Sequence, residues 1–326
     1  MTSSTRRHES TRFALPLILL AFVLIALVYS VSIPLGEAPD EVSHWSYVQY
    51  LTTHLRLPGG DGASAGEAHQ PPLYYLLGAF VSFSVPEQQF DVYANPDWYL
   101  GNTDTPNLLL HTRREAFPYR GGVLAWHLVR LFSILLGAIT VWATYRLARL
   151  VFPDSAWVAP TAAAFVAFIP QFTFLSAVVN NDNLVIALSA LALLAFLRTG
   201  RDVRACAFII TGVLLGLAVL AKVSAFSLWV ALALAMVVNG QGTPIRERAA
   251  NLLVTFATAS AVVSPWLVYS GIALGDPLGF TRMAEGFARP SPMTGADWII
   301  YGERMFVSFW GKFGGVTNVG MPDAVY

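Results

Sequence analysis

Phe13-Ala14-Leu15-Pro16-Leu17-Ile18-Leu19-Leu20-Ala21-Phe22-Val23-Leu24-Ile25-Ala26-Leu27-Val28-Tyr29-Ser30-Val31-Ser32-Ile33 runs without a single charged side chain. A helix crosses the hydrocarbon core with roughly 20 apolar residues, so this stretch reads as a membrane span. Arg6, Arg7 and Arg12 precede it, as in a signal peptide. The run is too long for one and lacks a small-residue cleavage site, which makes it a retained first helix with a cytoplasmic N-terminus. The rest of the chain repeats the pattern. Of 326 residues, 55% are hydrophobic and 12% charged, and the mean hydropathy is +0.56. Soluble domains carry about 25% charged residues, so a water-soluble globule and a disordered chain are both excluded. A formal net charge of +0 gives no basic excess for nucleic acid. The lone Cys206, set in an apolar run, reads as packing.

Counting uncharged runs gives an all-α integral membrane protein of one transmembrane domain, 1–326, with seven expected spans: residues 13–33, 123–150, 155–179, 184–197, 205–221, 223–238 and 251–271. Residues 34–121 form a large first loop carrying juxtamembrane helices, and residues 272–326 a second polar region on the same side. Charge fixes the orientation. Arg6, Arg7, Arg12, Arg146, Arg149, Arg198, Arg201, Arg204, Arg246 and Arg248 fall in short segments on one side, which the positive-inside rule makes cytoplasmic. Only Glu9, Asp154, Asp202 and Glu247 of the acidic residues join them. The outer face is therefore acidic and also holds both lysines, Lys222 and Lys312. Only 15 residues separate Asp182 from Arg198, so either the arginine snorkels or the polar turn Asn180-Asn181-Asp182-Asn183 dips below the headgroups, where it must face protein or water. Gly212 and Gly216 predict a close helix contact.

There is no phosphate loop, no dinucleotide fingerprint, no His-Glu-x-x-His and no Cys-x-x-Cys. Polar chemistry concentrates instead after the first span, in Gly36-Glu37-Ala38-Pro39-Asp40-Glu41-Val42-Ser43-His44-Trp45-Ser46-Tyr47. Pro39 at a helix start would leave Asp40 and Glu41 in the first turn, with Asp40 and His44 on one face. On its own this is equally a surface helix with an acidic cap and an aromatic anchor. Beyond the flexible link at residues 58–66 comes His69-Gln70-Pro71-Pro72-Leu73-Tyr74-Tyr75, whose double proline opens a second helix too short to span. His69 there is a helix-start polar residue or a ligand.

The order of these pieces resembles the GT-C superfamily of integral membrane glycosyltransferases, closest to the protein O-mannosyltransferase and aminoarabinose transferase group, glycosyltransferase family 39. The acidic pair after the first span and His69-x-Pro71-Pro72-Leu73-Tyr74-Tyr75 carry the likeness. So do Val129-Arg130-Leu131-Phe132-Ser133, Asn180-Asn181-Asp182-Asn183, Gly216-Leu217-Ala218-Val219-Leu220-Ala221-Lys222, Gly275-Asp276-Pro277-Leu278-Gly279 and Ser308-Phe309-Trp310-Gly311-Lys312-Phe313-Gly314. Where relatives carry Arg-Asn after a Pro-Trp, this chain has Tyr269-Ser270, so another cation must meet the phosphate. Where the aminoarabinose transferases place an acidic residue and a lysine before the double proline, it has His69-Gln70. Members of the group usually have more helices, so the chain is expected to be part of a longer protein.

The resemblance implies a multi-pass enzyme of the bacterial plasma membrane and cell envelope. It would move a sugar, by inverting displacement on the outer face, from a polyprenyl-phosphate-linked donor to a glycan, lipid or protein acceptor. Asp40 is the implied base and Glu41 its alternative or partner. Lys222 and Arg130 are the cations at membrane depth suited to the lipid phosphate, against readings as snorkelling or paired residues. His69, Asn181 and Asp182 would line the same cavity. Arg56, Arg113, Arg114, Arg120 and Arg282 are weaker candidates, since surface arginines are mostly solvated. A divalent metal ion (Mg, Mn or Zn) on Asp40, Glu41, His44 and His69 is a further reading. The competing class is a lipid or polysaccharide flippase, with a lipid-carrier-dependent polysaccharide ligase as a third reading. A transporter places polar residues mid-span and often shows repeats, whereas here they gather at the outer ends.

Overall fold

The computed structural model describes residues 13–59, 66–99, 107–199, 205–239, 244–281, 293–313 and 319–320. The fold is all-α. The helices are α1 (Ala14–Ser32), α2 (Glu41–His54), α3 (Leu73–Ser82), α4 (Gly121–Val151), α5 (Val158–Ala167), α6 (Pro170–Ser176), α7 (Asp182–Thr199), α8 (Ala205–Ala221), α9 (Phe226–Asn239), α10 (Ile245–Ala273) and α11 (Gly295–Gly311). Among the described residues, β structure is limited to an isolated Ala94–Leu109 bridge and a two-residue antiparallel pair, Lys312–Phe313 with Val319–Gly320.

Four helices, α1, α4, α7 and α10, are long and apolar enough to cross a membrane. The stretch expected as one continuous span at 155–179 is instead a helix pair, α5 and α6, bent by 64°. Pro170 is the cause. It lacks an N–H and pushes the residue before it out of the helical region, and Ile169 sits at φ −66°, ψ 116°. Helices α8 and α9 are shorter, at 17 and 14 residues.

Each helix turns a stripe inward and leaves the rest to lipid. Phe22, Ala26 and Ser30 bury one face of α1 at four-residue spacing, while Leu17, Leu20, Leu24 and Val28 stay exposed. Helix α4, at about 1.5 Å per residue the longest element, is the central post. It touches α1, α3, α5, α6 and α7, and the row continues from α7 through α8 to α10. Small residues set the last contact. A Cβ on Gly212 would lie 2.4 Å from the Thr255 carbonyl oxygen, and one on Gly216 2.6 Å from Val262 Cβ. Only a hydrogen at those two positions lets α8 and α10 approach so closely.

The segment between α1 and α4 packs over one end of this bundle. Trp45, Tyr47, Val48 and Leu51 of α2, with Tyr74 and Tyr75 of α3, join Trp126 and Val129 of α4 in one core. Trp45 stacks on Trp126 at 4.9 Å and Tyr47 on Tyr75 at 4.1 Å. The first loop is thus a lid of aromatic side chains seated on the transmembrane bundle.

Candidate active site

The backbone turns sharply where α1 leaves the membrane, and a buried ion pair fixes the turn. Glu41 and Arg130 are both 0% exposed. Arg130 Nε donates to Glu41 Oε1 and Nη2 to Oε2, each at 2.7 Å. Nη1 donates to the carbonyls of Ser30 and Ile33 at 2.7 Å, and Nη2 to that of Pro34 at 3.1 Å. These five bonds use every donor a guanidinium has. The Glu41 carboxylate also accepts from Trp126 Nε1, Val179 N and Gly36 N, all at 3.0 Å. One pair therefore ties together the end of α1, the start of α2, the first third of α4 and the loop before α7. A buried charge is tolerable only when so fully satisfied.

Asp40 sits immediately before this clamp. The expected first helical turn is corrected here: the helix starts at Glu41, and Asp40 precedes it in a left-handed conformation, φ 56°, ψ 5°, its side chain capping nothing. Such a conformation costs a non-glycine residue about 1–2 kcal/mol, and Glu41 next door holds it in place. Asp40 is exposed. Nor does it converge with His44, whose Nδ1 meets the Tyr75 hydroxyl at 2.9 Å. Burial, then the nearby charges of Lys222 and His69, push the His44 pKa down to about 3. The ring is neutral at physiological pH.

Glu67, which belongs to no motif, lies close enough to Asp40 to feel its charge. Gly66 packs on the backbone of Ser43 so tightly that a Cβ would lie 2.0 Å from its carbonyl oxygen, and this drives Glu67 against α2. Burial first, and the charge of Asp40 next, raise the Glu67 pKa above the usual carboxylate value, with Lys222 opposing. His69 Nε2 lies 3.4 Å from Glu67 Oε2. The only sequence signal for Glu67 was an acidic residue two positions before His69.

Lys222 Nζ donates to Asp182 Oδ1 at 2.6 Å, with both side chains partly exposed at 27% and 34%. An ammonium has three donors, so one bond to Asp182 leaves capacity for an anion, in contrast to Arg130. Asn181 is fully buried, its Nδ2 bonded to the Ala221 carbonyl at 3.1 Å and its Oδ1 without a partner among the described residues. Asn180 and Asn183 bond neighbouring backbone, so the polar turn faces protein as its composition requires. Tyr269 and Ser270 serve the scaffold, donating to the carbonyls of Leu57 and Asp276.

The four residues read as metal ligands do not gather. Glu41 is committed to Arg130 and His44 to Tyr75, and His69 lies against Glu67. Among the described residues, no three His, Cys, Asp or Glu side chains form a metal-binding group.

Below Asp182 an apolar furrow of about 690 Å³ descends between α4, α7 and α9, past Val185, Ser189, Leu193 and Leu228. A second hollow of about 460 Å³ shares Thr144, Leu147, Leu193 and Ala231 with it and reaches Val151 and Ala235. Together they run from the carboxylate end to the far end of the bundle.

A family model described as dolichyl-phosphate-mannose-protein mannosyltransferase matches residues 122–269. The match runs from the start of α4 almost to the end of α10, and so takes in Arg130, Asp182, Lys222 and the whole furrow. It points to a membrane glycosyltransferase of the GT-C type, in agreement with the all-α, multi-pass architecture. No curated protein matches the chain.

Proposed function

We propose that this chain moves a hexosyl or pentosyl group from a polyprenyl-phosphate-linked donor to an acceptor hydroxyl at the outer face of the membrane. The reading rests above all on one arrangement: an exposed carboxylate, Asp40, whose charge reaches Glu67 together with those of Lys222 and Asp182, and an apolar furrow that Asp182, the partner of Lys222, itself lines. A polyprenyl chain fills such a furrow, and its phosphate then lies at Lys222. The acceptor is a glycan, lipid or protein hydroxyl.

The chemistry needs little more. Asp40 takes the proton of the acceptor hydroxyl as that oxygen attacks the anomeric carbon. The bond from that carbon to the phosphate oxygen breaks, its electron pair leaves with the phosphate, and Lys222 offsets the charge that develops. Displacement from the opposite face inverts the anomeric configuration. The donor is already activated, so no nucleotide is consumed. Glu67 replaces Glu41 as the second carboxyl: a raised pKa suits a group that holds or passes on the proton, whereas Glu41 is locked by Arg130.

The test is sugar transfer from a panel of polyprenyl-phosphate sugars in proteoliposomes, comparing the native chain with Asp40→Asn and Glu67→Gln. General-base catalysis contributes about 10²–10⁴-fold, so Asp40→Asn is expected to lose at least a hundredfold in turnover while still binding carrier lipid. Equal turnover in Asp40→Asn removes it from the role. Movement of carrier lipid between leaflets without any transfer replaces the enzyme with a flippase.

A further inference from the structure

A pocket of about 520 Å³ opens at the N-terminal end of α4. Arg113 and Arg114 enter it from a short 3-10 turn, Arg120 from the cap position of α4, and Glu87, Gln89 and Phe117 complete its wall. Three guanidiniums against one carboxylate leave it strongly positive. Among the described residues, none of the three guanidiniums has a hydrogen-bond or ion-pair partner. Arg130, ten positions into the same helix, has all its donors bonded.

The backbone that presents these arginines is fixed in advance. Thr112 and Glu115 close a capping box around the turn, and His111 bonds Glu115 at 2.8 Å and Glu37 at 3.0 Å. Three unpaired guanidiniums on one pocket call for an anion, and their planar forks match phosphate oxygens. Location narrows the choice. The pocket lies where a helix long and apolar enough to span a membrane begins, and Phe117 on its rim is 81% exposed, an apolar ring available to acyl chains.

We propose that Arg113, Arg114 and Arg120 bind the phosphate headgroup of an anionic phospholipid, with Phe117 among its acyl chains. This lipid is distinct from the sugar donor, because the pocket shares no lining residue with the furrow. The site does not depend on the glycosyltransferase reading. Headgroup contacts of this kind are worth about fivefold in affinity per arginine.

The full chain, delipidated in detergent, is titrated with phosphatidylglycerol, phosphatidylcholine and inorganic phosphate, and bound lipid is counted by native mass spectrometry. Phosphatidylglycerol is expected to bind at least tenfold more tightly than phosphatidylcholine. The combined Arg113→Gln, Arg114→Gln, Arg120→Gln variant should lose that preference, Arg114→Gln alone should weaken it about fivefold, and the exposed Arg56→Gln should leave it unchanged. The single variant keeps the result decisive should the triple one misfold. Equal binding of the two lipids, or undiminished phosphatidylglycerol binding by Arg114→Gln, overturns the site. Displacement of phosphatidylglycerol by millimolar inorganic phosphate overturns the lipid as its ligand.

Discussion

Arg130 and Lys222 are both cations near the end of a membrane helix, and sequence alone ranks them alike. Hydrogen-bond capacity separates them. Arg130 meets Glu41 across 89 positions of sequence and three carbonyls of the chain leaving α1, so no donor remains for a phosphate. Removing one partner of a buried ion pair costs about 3–5 kcal/mol, whereas replacing both with apolar or neutral groups is often close to neutral. Arg130→Met is therefore expected to lower thermal stability in detergent steeply, and adding Glu41→Gln should restore a large part of it. If Arg130 instead met the donor, Arg130→Met would melt like the native chain and lose carrier-lipid binding. The acidic pair stands out in the sequence as a candidate site. Which member stays free does not, because that depends on Arg130, Trp126 and Val179, all brought in from distant parts of the chain. Glu67 was illegible for the same reason: its burial comes from the contact of Gly66 with Ser43.

Among the loop elements, the segment at residues 107–115 is held by its bridge to Tyr93–Asn95 and by one carboxylate, that of Glu37. Glu37 accepts from the amides of Leu108 and Leu109 at 3.0 and 2.9 Å and from His111. Burial alone would raise the Glu37 pKa, but His111 and the two amides outweigh it and hold it below its ordinary value. The bond to Glu37, against opposing burial and with help from Glu115, raises the His111 pKa. The signs then define a window. Protonated His111 contributes stability that is complete below its unfolded value of 6.5 and is lost as pH rises through its raised folded value. Ionised Glu37 contributes stability present above its unfolded value of 4.5 and lost as pH falls through its lowered folded value. Hydrogen-exchange protection of the Leu108 and Leu109 amides, corrected for intrinsic rates, should be highest between those limits and fall on both sides. His111→Ala should remove the fall on the alkaline side and keep the acid one. A flat profile in the native chain would leave the three side chains as bystanders. Because the same turn presents Arg113 and Arg114, its opening should also loosen the basic pocket.

For the molecule as a whole, helices occupy all seven stretches that hydropathy marked out, because in lipid an uncharged run must satisfy its backbone internally. Hydropathy was blind to the 64° break at Pro170 and to the seating of the first loop, since neither a bend nor an aromatic stack changes the apolar count. Orientation rests on charge alone: arginines crowd the loops at one end, and the carboxylates, the basic pocket and Lys222 gather at the other. The positive-inside rule predicts that the first end is cytoplasmic, as the proposed use of an outer-leaflet donor requires. In a Cys206→Ala background, two exposed positions test this directly, Gln89→Cys beside the basic pocket and Asp154→Cys between α4 and α5. A membrane-impermeant maleimide added to intact cells should label Gln89→Cys at once and Asp154→Cys only after permeabilisation. The reverse pattern would turn the bundle over and put Asp40 and the furrow's polar rim in the cytoplasm. A polyprenyl-phosphate sugar would then have to be used on the leaflet where nucleotide sugars are plentiful, and the reason for a lipid-linked donor would disappear.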